Sequence, residues 1–115
     1  MLEYGYLTKM QSIKENPYVL MDIEHFIEHS YRPLNWSKSK KSSLYVCYDD
    51  EIDKIVCIME VNKSKQLILA IESRFTGHNY AIKMINHFDK KYKTKIQPTD
   101  ILEEAEGFWK KYGYI

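Results

Sequence analysis

The stretch IESRFTGHNYA (residues 71–81) decides the fold, because the spacing of the apolar residues changes within it. Before it, the run Leu67–Ile71 is apolar without alternation, which predicts a central strand covered on both faces. Gly77 permits a positive φ, and Asn79 is the next best tolerated residue type in that conformation. The sequence therefore predicts a strand, a tight turn and then a helix, whose apolar residues recur at helical spacing: Tyr80, Ala81, Met84, Ile85, Phe88 and Tyr92.

A junction of this kind can hold a phosphate group. The first turn of a helix has backbone N–H groups without intrahelical partners and a partial positive charge. Together they bind phosphate without any cationic side chain. Most glycines at such junctions only form turns, so the interpretation depends on a second motif.

The residues before this junction predict further strands. Residues 2–8 alternate enough to form an edge strand. Leu44–Tyr48 and Lys54–Val61 read as two strands joined by an acidic turn, and Gln66–Glu72 is the buried strand that follows. An antiparallel meander followed by a buried strand and a helix predicts a mixed α/β (α+β) domain with a mostly antiparallel central sheet.

Two further helices are predicted, one near each end of the chain. Asn16 and Pro17 begin a helix over about 17–31, and the polar, basic residues 35–43 predict a loop. Near the other end, Lys95–Gln97 predicts a short strand, and Asp100 with Glu103 forms a capping-box pattern. The last helix would turn its apolar residues inward and stop at a glycine: Leu102, Ala105, Phe108, Trp109, Tyr112 and then Gly113.

The composition predicts one domain over residues 1–115 and excludes several classes of partner. With 115 residues and 44% hydrophobic residues, the chain can form one compact core. A net charge of +1 gives no electrostatic argument for nucleic acid or a membrane surface. No apolar run reaches the length of a membrane span or a signal peptide, and two cysteines are too few for a disulfide framework. We expect a cytoplasmic protein with reduced thiols and no metal.

Two stretches resemble motifs of the GNAT superfamily of acyltransferases. Residues 71–81 resemble its acyl-coenzyme-A signature, with Phe75 at the aromatic position, Gly77 at the first glycine and Ala81 at the final small residue. Residues 105–114 (AEGFWKKYGY) resemble the family's Ala-x-x-Phe-Tyr-x-Lys-x-Gly-Phe ending. The second motif departs from the family at one position that matters for chemistry: Trp109 stands where a tyrosine often serves as general acid.

The resemblance implies a GNAT-like sheet flanked by helices, with acetyl-coenzyme A as acyl donor. It implies that a primary amine of a small molecule or peptide attacks the thioester directly, while backbone N–H groups polarise the carbonyl oxygen. Residues 1–43 would form a variable acceptor-side region and residues 44–115 the coenzyme-binding core. The coenzyme would contact Leu69, Ala70, Ile71, Phe75, Thr76, Gly77, His78, Asn79, Tyr80, Ala81, Phe108 and Trp109.

The catalytic groups of such an enzyme have structural alternatives. Glu60 or Glu72 would take the proton of the amine, although both also fit the alternative of a solvated strand residue without a catalytic role. Tyr112 would replace the missing acid, although a core aromatic residue also fits this position. An indole N–H cannot serve as that acid at neutral pH, so Trp109 favours a degenerate member that binds coenzyme A or a protein partner without turnover. A third hypothesis is an interaction protein that uses this fold as a scaffold.

Other patterns carry simpler interpretations. His25 and His29 lie four apart on the first predicted helix, but no third metal ligand is evident, so a solvated helix face is favoured. Residues 38–41 carry three lysines that could contact an acidic partner or a nucleotide phosphate, and that also suit a solvated loop. Tyr114 and Ile115 would only begin another strand. Without the rest of that strand, the sheet would have an edge that another protomer could pair with, which predicts a homodimer.

Overall fold

A computed structural model of the protein describes residues 1–7, 21, 22, 25, 42–62, 67–75, 77–99, 101 and 103–115. The described strands form one sheet in which they follow chain order. They are β1 (Leu2–Tyr6), β2 (Ser42–Asp49), β3 (Lys54–Asn62), β4 (Leu67–Ser73) and β5 (Gln97–Pro98). Helix α1 (Tyr80–Tyr92) connects β4 with β5, and a 3-10 turn (Glu103–Ala105) leads into helix α2 (Glu106–Lys111).

The direction of the strands confirms the mixed α+β class and the mostly antiparallel sheet. Strands β1 to β4 pair antiparallel, whereas β4 and β5 are parallel. A parallel pair needs a long crossover connection, and helix α1 supplies it. The predicted edge strand at the start of the chain is confirmed, because β1 pairs within the described residues only with β2.

The centre of the sheet is β3, one strand earlier than the sequence predicts. From Ile55 to Met59, every residue of β3 is fully buried. The prediction that β4 is covered on both faces is wrong, because only Ile68 of that strand is buried. An apolar run therefore identified a strand correctly and its position in the sheet incorrectly.

The two faces of the sheet carry separate apolar clusters. The cluster on the first face includes residues of α1, so this helix covers that face. Tyr45 lies at its centre, with its ring centroid 5.0 Å from that of Phe88 and 5.1 Å from that of Tyr6, both edge to face. The second face is defined by buried side chains from three segments: Leu7, Leu44, Val46, Tyr48, Ile55 and Ile58.

The ends of helix α1 are both set by left-handed residues. Asn79 precedes the helix with φ 58°, and Lys93 follows it with φ 51°. The N–H groups of Lys93 and Thr94 both donate to the carbonyl oxygen of Asp89. These bonds satisfy a carbonyl that the last helical turn would otherwise leave without a partner.

The C-terminal segment differs in detail from its prediction. The predicted helix from residue 102 begins with the 3-10 turn, and its α-helical part is six residues long. Gly113 is confirmed as its stop, because it has φ 80° and its N–H donates to Lys110 O at 3.2 Å. The N–H of Tyr114 donates to Trp109 O at 2.9 Å, which completes a Schellman motif. Strand β5 lies two residues later than predicted and includes Pro98.

The predicted helix over 17–31 and loop over 35–43 lie almost entirely outside the described residues. Of the predicted helix, Met21, Asp22 and His25 are described, and all three are helical. The predicted loop is wrong at its end, because Ser42 and Ser43 belong to strand β2. His29 and the lysines of residues 38–41 lie outside the described ranges.

Candidate functional site

The turn between β4 and α1 is built from residues in the left-handed region. Phe75 has φ 61°, Gly77 has φ 91° and Asn79 has φ 58°. A Cβ added to Gly77 would meet no atom within 4 Å, so the glycine is required by its φ and not by lack of space. For Phe75 the same region is unfavourable, so the fold imposes this conformation on it. Thr76 lies outside the described residues.

The first turn of α1 is available to an anion. The N-cap residue Asn79 makes no side-chain capping bond, and the first turn contains no acidic residue. The first intrahelical bond runs from Lys83 N–H to Asn79 O at 3.1 Å. The N–H groups of Tyr80, Ala81 and Ile82 therefore have no acceptor inside the helix. Helix starts with this property bind phosphate groups.

The parallel strands β4 and β5 pair over two residues only. Leu67 faces Gln97 and Ile68 faces Pro98, and both Thr99 N–H and Thr99 Oγ1 donate to Ile68 O at 3.0 Å. In the described part of β5, no residue pairs with β4 beyond this point. In the described residues, register pairing of β4 with β5 therefore ends at Ile68, and we call the stretch of β4 from there to the turn the β4–β5 opening.

A bulge in β4 begins where this opening begins. Glu60 faces Ala70 and Val61 faces Ile68, so Leu69 is an extra residue between two register pairs. A bulge bends its strand and ends regular pairing, and such bulges occur often beside active sites. The segment Leu69–Ile71 is half-buried along the opening. This places three of the predicted coenzyme-contacting residues beside one feature of the sheet.

The two candidate bases lie on the same face of the sheet. Glu60 faces Ala70, and Glu72 faces Ile58 two positions further along. Their side chains are therefore diagonal neighbours on the second face, where Ala70 also packs. Glu60 is 8% exposed and Glu72 is half-buried.

The aromatic residues of α2 occupy different environments. Trp109 is 3% exposed and belongs to the cluster on the first face, with its ring 4.9 Å from Phe108 and 5.3 Å from Tyr114. Tyr112 is half-buried, and its ring centroid lies 5.1 Å from that of Phe108. Trp109 and Phe108 thus pack with the core on the helix side, whereas Glu60 and Glu72 lie on the opposite face.

A cavity that the sequence pattern did not predict lies beside the turn. It has a volume of about 490 Å³ and lies between the β2–β3 turn and the start of α1. Asp49 lies at its wall and accepts hydrogen bonds from the Glu51 N–H at 3.0 Å and from the Tyr80 hydroxyl at 3.4 Å. Burial, followed by the charge of Asp49, raises the pKa of Tyr80. The acidic turn was visible in the sequence, but its position beside α1 follows from the antiparallel order of β2, β3 and β4.

An ion-pair network joins this end of the sheet to the first segment of the chain. The Arg74 guanidinium donates to Asp22 and, through Nε, to the carbonyl oxygen of Ile55 at 2.7 Å. Lys54 Nζ lies 3.5 Å from the same aspartate. Asp22 therefore compensates two cations at the end of β3 and β4.

Two groups of titratable residues lie where helix α1 packs against the sheet. His87 stacks on Tyr4 with ring centroids 4.3 Å apart, and its Nδ1 lies 3.1 Å from the Tyr45 hydroxyl. Burial, together with Lys91 and Lys90, lowers the pKa of His87. Cys47 and Cys57 are buried, free and directly opposite each other in the β2–β3 register. Burial raises the pKa of Cys47 to about 12 and that of Cys57 further.

Comparison with protein-family models, with curated proteins and with solved structures found no match for this chain. In the described part of the chain, no group of three or more His, Cys, Asp or Glu side chains could hold a metal ion. Among the same residues, the helices are too short and too polar to cross a bilayer.

Proposed function

We propose that the protein is an acyl-coenzyme-A-dependent N-acyltransferase that transfers an acetyl group directly to a primary amine. The observation that carries this proposal is the opening between β4 and β5. The pairing of the two strands stops at the bulge at Leu69, and β4 continues into a left-handed turn and a helix start without an N-cap side chain. The GNAT resemblance rests on the residues of this same segment, and the GNAT-like arrangement of sheet and helices is part of the proposal.

The donor groups along this segment suit coenzyme A. The pyrophosphate would accept hydrogen bonds from the backbone N–H groups of Gly77 and of the first turn of α1. The acyl-bearing arm would lie along Leu69–Ile71 in the opening, where backbone N–H groups would polarise the thioester oxygen. The side chains of Phe75, His78 and Asn79 in this turn are exposed, so a ligand could contact them.

The transfer step would use the two faces of the sheet. The amine nitrogen attacks the thioester carbon, its proton passes to Glu72 or Glu60, and the carbon–sulfur bond breaks. The departing thiolate receives a proton from Tyr112, and the products are an amide and free coenzyme A. The acceptor would approach from the face that carries the two glutamates.

The binding step is tested by calorimetry with acetyl-coenzyme A, using Gly77→Asp and Gly77→Asn as a matched pair. Both substitutions impose the same backbone strain, because Asp and Asn tolerate the left-handed region similarly. They differ by one negative charge at the phosphate turn. We expect Gly77→Asp to bind at least tenfold more weakly than Gly77→Asn. Absence of heat and of any thermal shift with the unmodified protein at high micromolar ligand would contradict the proposal.

The turnover step is tested by thiol release with a panel of primary amines. We expect Tyr112→Phe to lower kcat about 100-fold while leaving coenzyme affinity unchanged, since general acid catalysis typically contributes 10²–10⁴. Glu72→Gln and Glu60→Gln are tested separately, and the variant with the larger loss of kcat identifies the base.

A second candidate function is coenzyme binding without turnover, and the burial of Trp109 favours it. The residue in the place of the family's acid is packed into the core at 3% exposure, where it cannot exchange protons with a ligand. This candidate would be supported if acetyl-coenzyme A binds but no amine causes thiol release, and if Tyr112→Phe leaves thiol release unchanged. A protein partner or a second copy would then be the functional ligand, which light scattering of the pure protein and its complexes measures.

A further inference from the structure

The cavity between the β2–β3 turn and α1 shares Phe75, His78 and Tyr80 with the predicted coenzyme contacts, but its other lining residues come from the end of β2, the β2–β3 turn and the start of β3. Apolar and aromatic groups form much of its wall, and two of them are unusually exposed: Phe75 at 44% and Ile52 at 46%. Its volume of about 490 Å³ lies within the range of small-molecule sites. Exposed large apolar side chains around a concavity are typical of binding surfaces.

Two aromatic rings next to these apolar groups can face a cation. His78 and Tyr80 stack with ring centroids 5.0 Å apart and an interplanar angle of 11°, and both line the cavity. The ring of Phe75 already has the Arg74 guanidinium 5.3 Å from its centroid. Aromatic faces attract cations through their quadrupole, and they do so more strongly where water is excluded.

The charge of the lining is negative. Asp49 and Glu51 contribute two carboxylates to the described lining against one lysine, Lys54, so the lining itself has a net negative charge. An ionised carboxylate has about four acceptor positions. Asp49 uses two of them in the described residues, for the Glu51 N–H and the Tyr80 hydroxyl.

The chain itself provides an example of an ammonium group at this site. The N-terminal ammonium of Met1 lies 2.5 Å from Asp50 Oδ1 and 3.7 Å from Glu51 Oε1. It lines a smaller adjoining cavity of about 240 Å³ that shares Asp49, Glu51, His78 and Tyr80 with the larger one. A primary ammonium therefore reaches the carboxylates at the boundary of the two cavities.

We propose that this cavity binds a small organic cation, namely a primary ammonium attached to an apolar or aromatic body. The ammonium contacts Asp49 and Glu51, and the body lies against Phe75 and Ile52. The site goes beyond the proposed acyl transfer, because it lies on the β2 side of the turn and needs no coenzyme. Neutral compounds of the same shape lack the ionic contacts, and anions meet like charges.

The test uses 2-phenylethylamine as the probe, with 2-phenylethanol and 3-phenylpropionate as neutral and anionic analogues. Binding is measured by calorimetry and by amide chemical shifts without coenzyme, so its failure does not bear on acyl transfer. We expect the amine to bind with a Kd on the order of 1 mM or tighter, and to shift the amides of residues 77–80. We expect the alcohol to bind at least fivefold more weakly and the acid not measurably. Equal binding of amine and alcohol, or no binding of the amine, would overturn the proposal.

Three variants locate the charge that matters. We expect Asp49→Asn to weaken amine binding about tenfold, as loss of a buried charged hydrogen bond does. The exposed Glu51→Gln should weaken it about twofold to fivefold, and it keeps the test decisive if Asp49→Asn folds poorly. The matched control is Asp53→Asn, which removes a carboxylate of the same turn outside the described lining and suits its φ of 55°. A loss in Asp53→Asn equal to that in Glu51→Gln would show general charge attraction and refute a defined site.

Discussion

Strands β3 and β4 are neighbours with similar apolar sequences, yet the sheet treats them differently. Strand β3 has a partner along both edges and is fully buried from Ile55 to Met59. Strand β4 pairs with β3 along one edge, whereas in the described residues its pairing with β5 is limited to Leu67 and Ile68. The first arrangement makes a closed core, and the second leaves a bulged strand beside an opening. Stability and ligand contact are therefore expected to reside in different strands.

The largest expected effect concerns the core above β3. Phe88→Ala removes a ring that is 2% exposed and contacts Tyr45 edge to face, so we expect a loss of about 3–5 kcal/mol in the free energy of unfolding. The matched control is Phe75→Ala beside the opening, where the ring is 44% exposed and the loss should stay below about 1 kcal/mol. Urea unfolding followed by tryptophan fluorescence measures both. Similar losses would contradict the division between core and opening.

The next effect concerns the attachment of β5. Asp89 Oδ1 accepts the N–H of the fully buried Ile96 at 2.8 Å. Asp89→Ala leaves this donor without its acceptor, and we expect a loss of about 1–3 kcal/mol. Asp89→Asn keeps an acceptor oxygen, and burial already raises the pKa of this carboxyl, so the loss should be below about 1 kcal/mol. Equal losses in the two variants, measured by urea unfolding, would show that this hydrogen bond does not hold β5.

Two glycines of the described residues sharpen the comparison further. Gly77→Ala places a side chain at φ 91°, and we expect it to cost about 1–2 kcal/mol. Gly107→Ala adds a methyl group in open space inside helix α2 at an ordinary φ, and should stabilise by up to about 1 kcal/mol. A decrease in Tm for Gly77→Ala together with an increase for Gly107→Ala would attribute the cost of Gly77→Ala to the turn. A loss in both variants would contradict this.

The smallest expected effect is a dependence on pH. Burial lowers the pKa of His87 below its ordinary value of 6.5, so the unfolded chain binds a proton at higher pH than the folded one. The contribution of His87 is complete above pH 6.5 and is lost as the pH falls below it, until the folded form is also protonated. The Tm should decrease between pH 7 and pH 5 more in the unmodified protein than in His87→Gln. Identical profiles would show that burial of this ring does not affect stability.

The elements that the sequence predicted well are those whose apolar pattern is local. Helix α1 and strands β2 and β3 follow from periodicity, and Gly113 follows from the absence of a Cβ at a left-handed position. The degree of burial of β4 could not be predicted, because it depends on how far β5 extends beside it. Proline has no N–H, so Pro98 predicted the end of β5. The strand includes this residue because the bond there is made by Thr99 N–H and Ile68 O.

The candidate sites divide in the same way. The turn at Gly77 is continuous in sequence, and its left-handed φ values at Gly77 and Asn79 were predictable from the residue types, whereas that of Phe75 was not. The cavity was not predictable, because Asp49 and Tyr80 are 31 positions apart and meet only through the order of the strands. The burial of Trp109, by contrast, was predicted from the apolar spacing of the last helix, and it is confirmed at 3% exposure.

The opposed thiols of Cys47 and Cys57 can serve as a probe of local opening in the core. Both are buried and have raised pKa values, and both belong to the cluster on the face that α1 covers, so a thiol reagent in solution reacts with them only after this cover moves away. The rate of modification in native buffer thus reports how often the core on this face opens. Comparing this modification rate with amide exchange along β4 shows whether the β4–β5 opening fluctuates independently of the core.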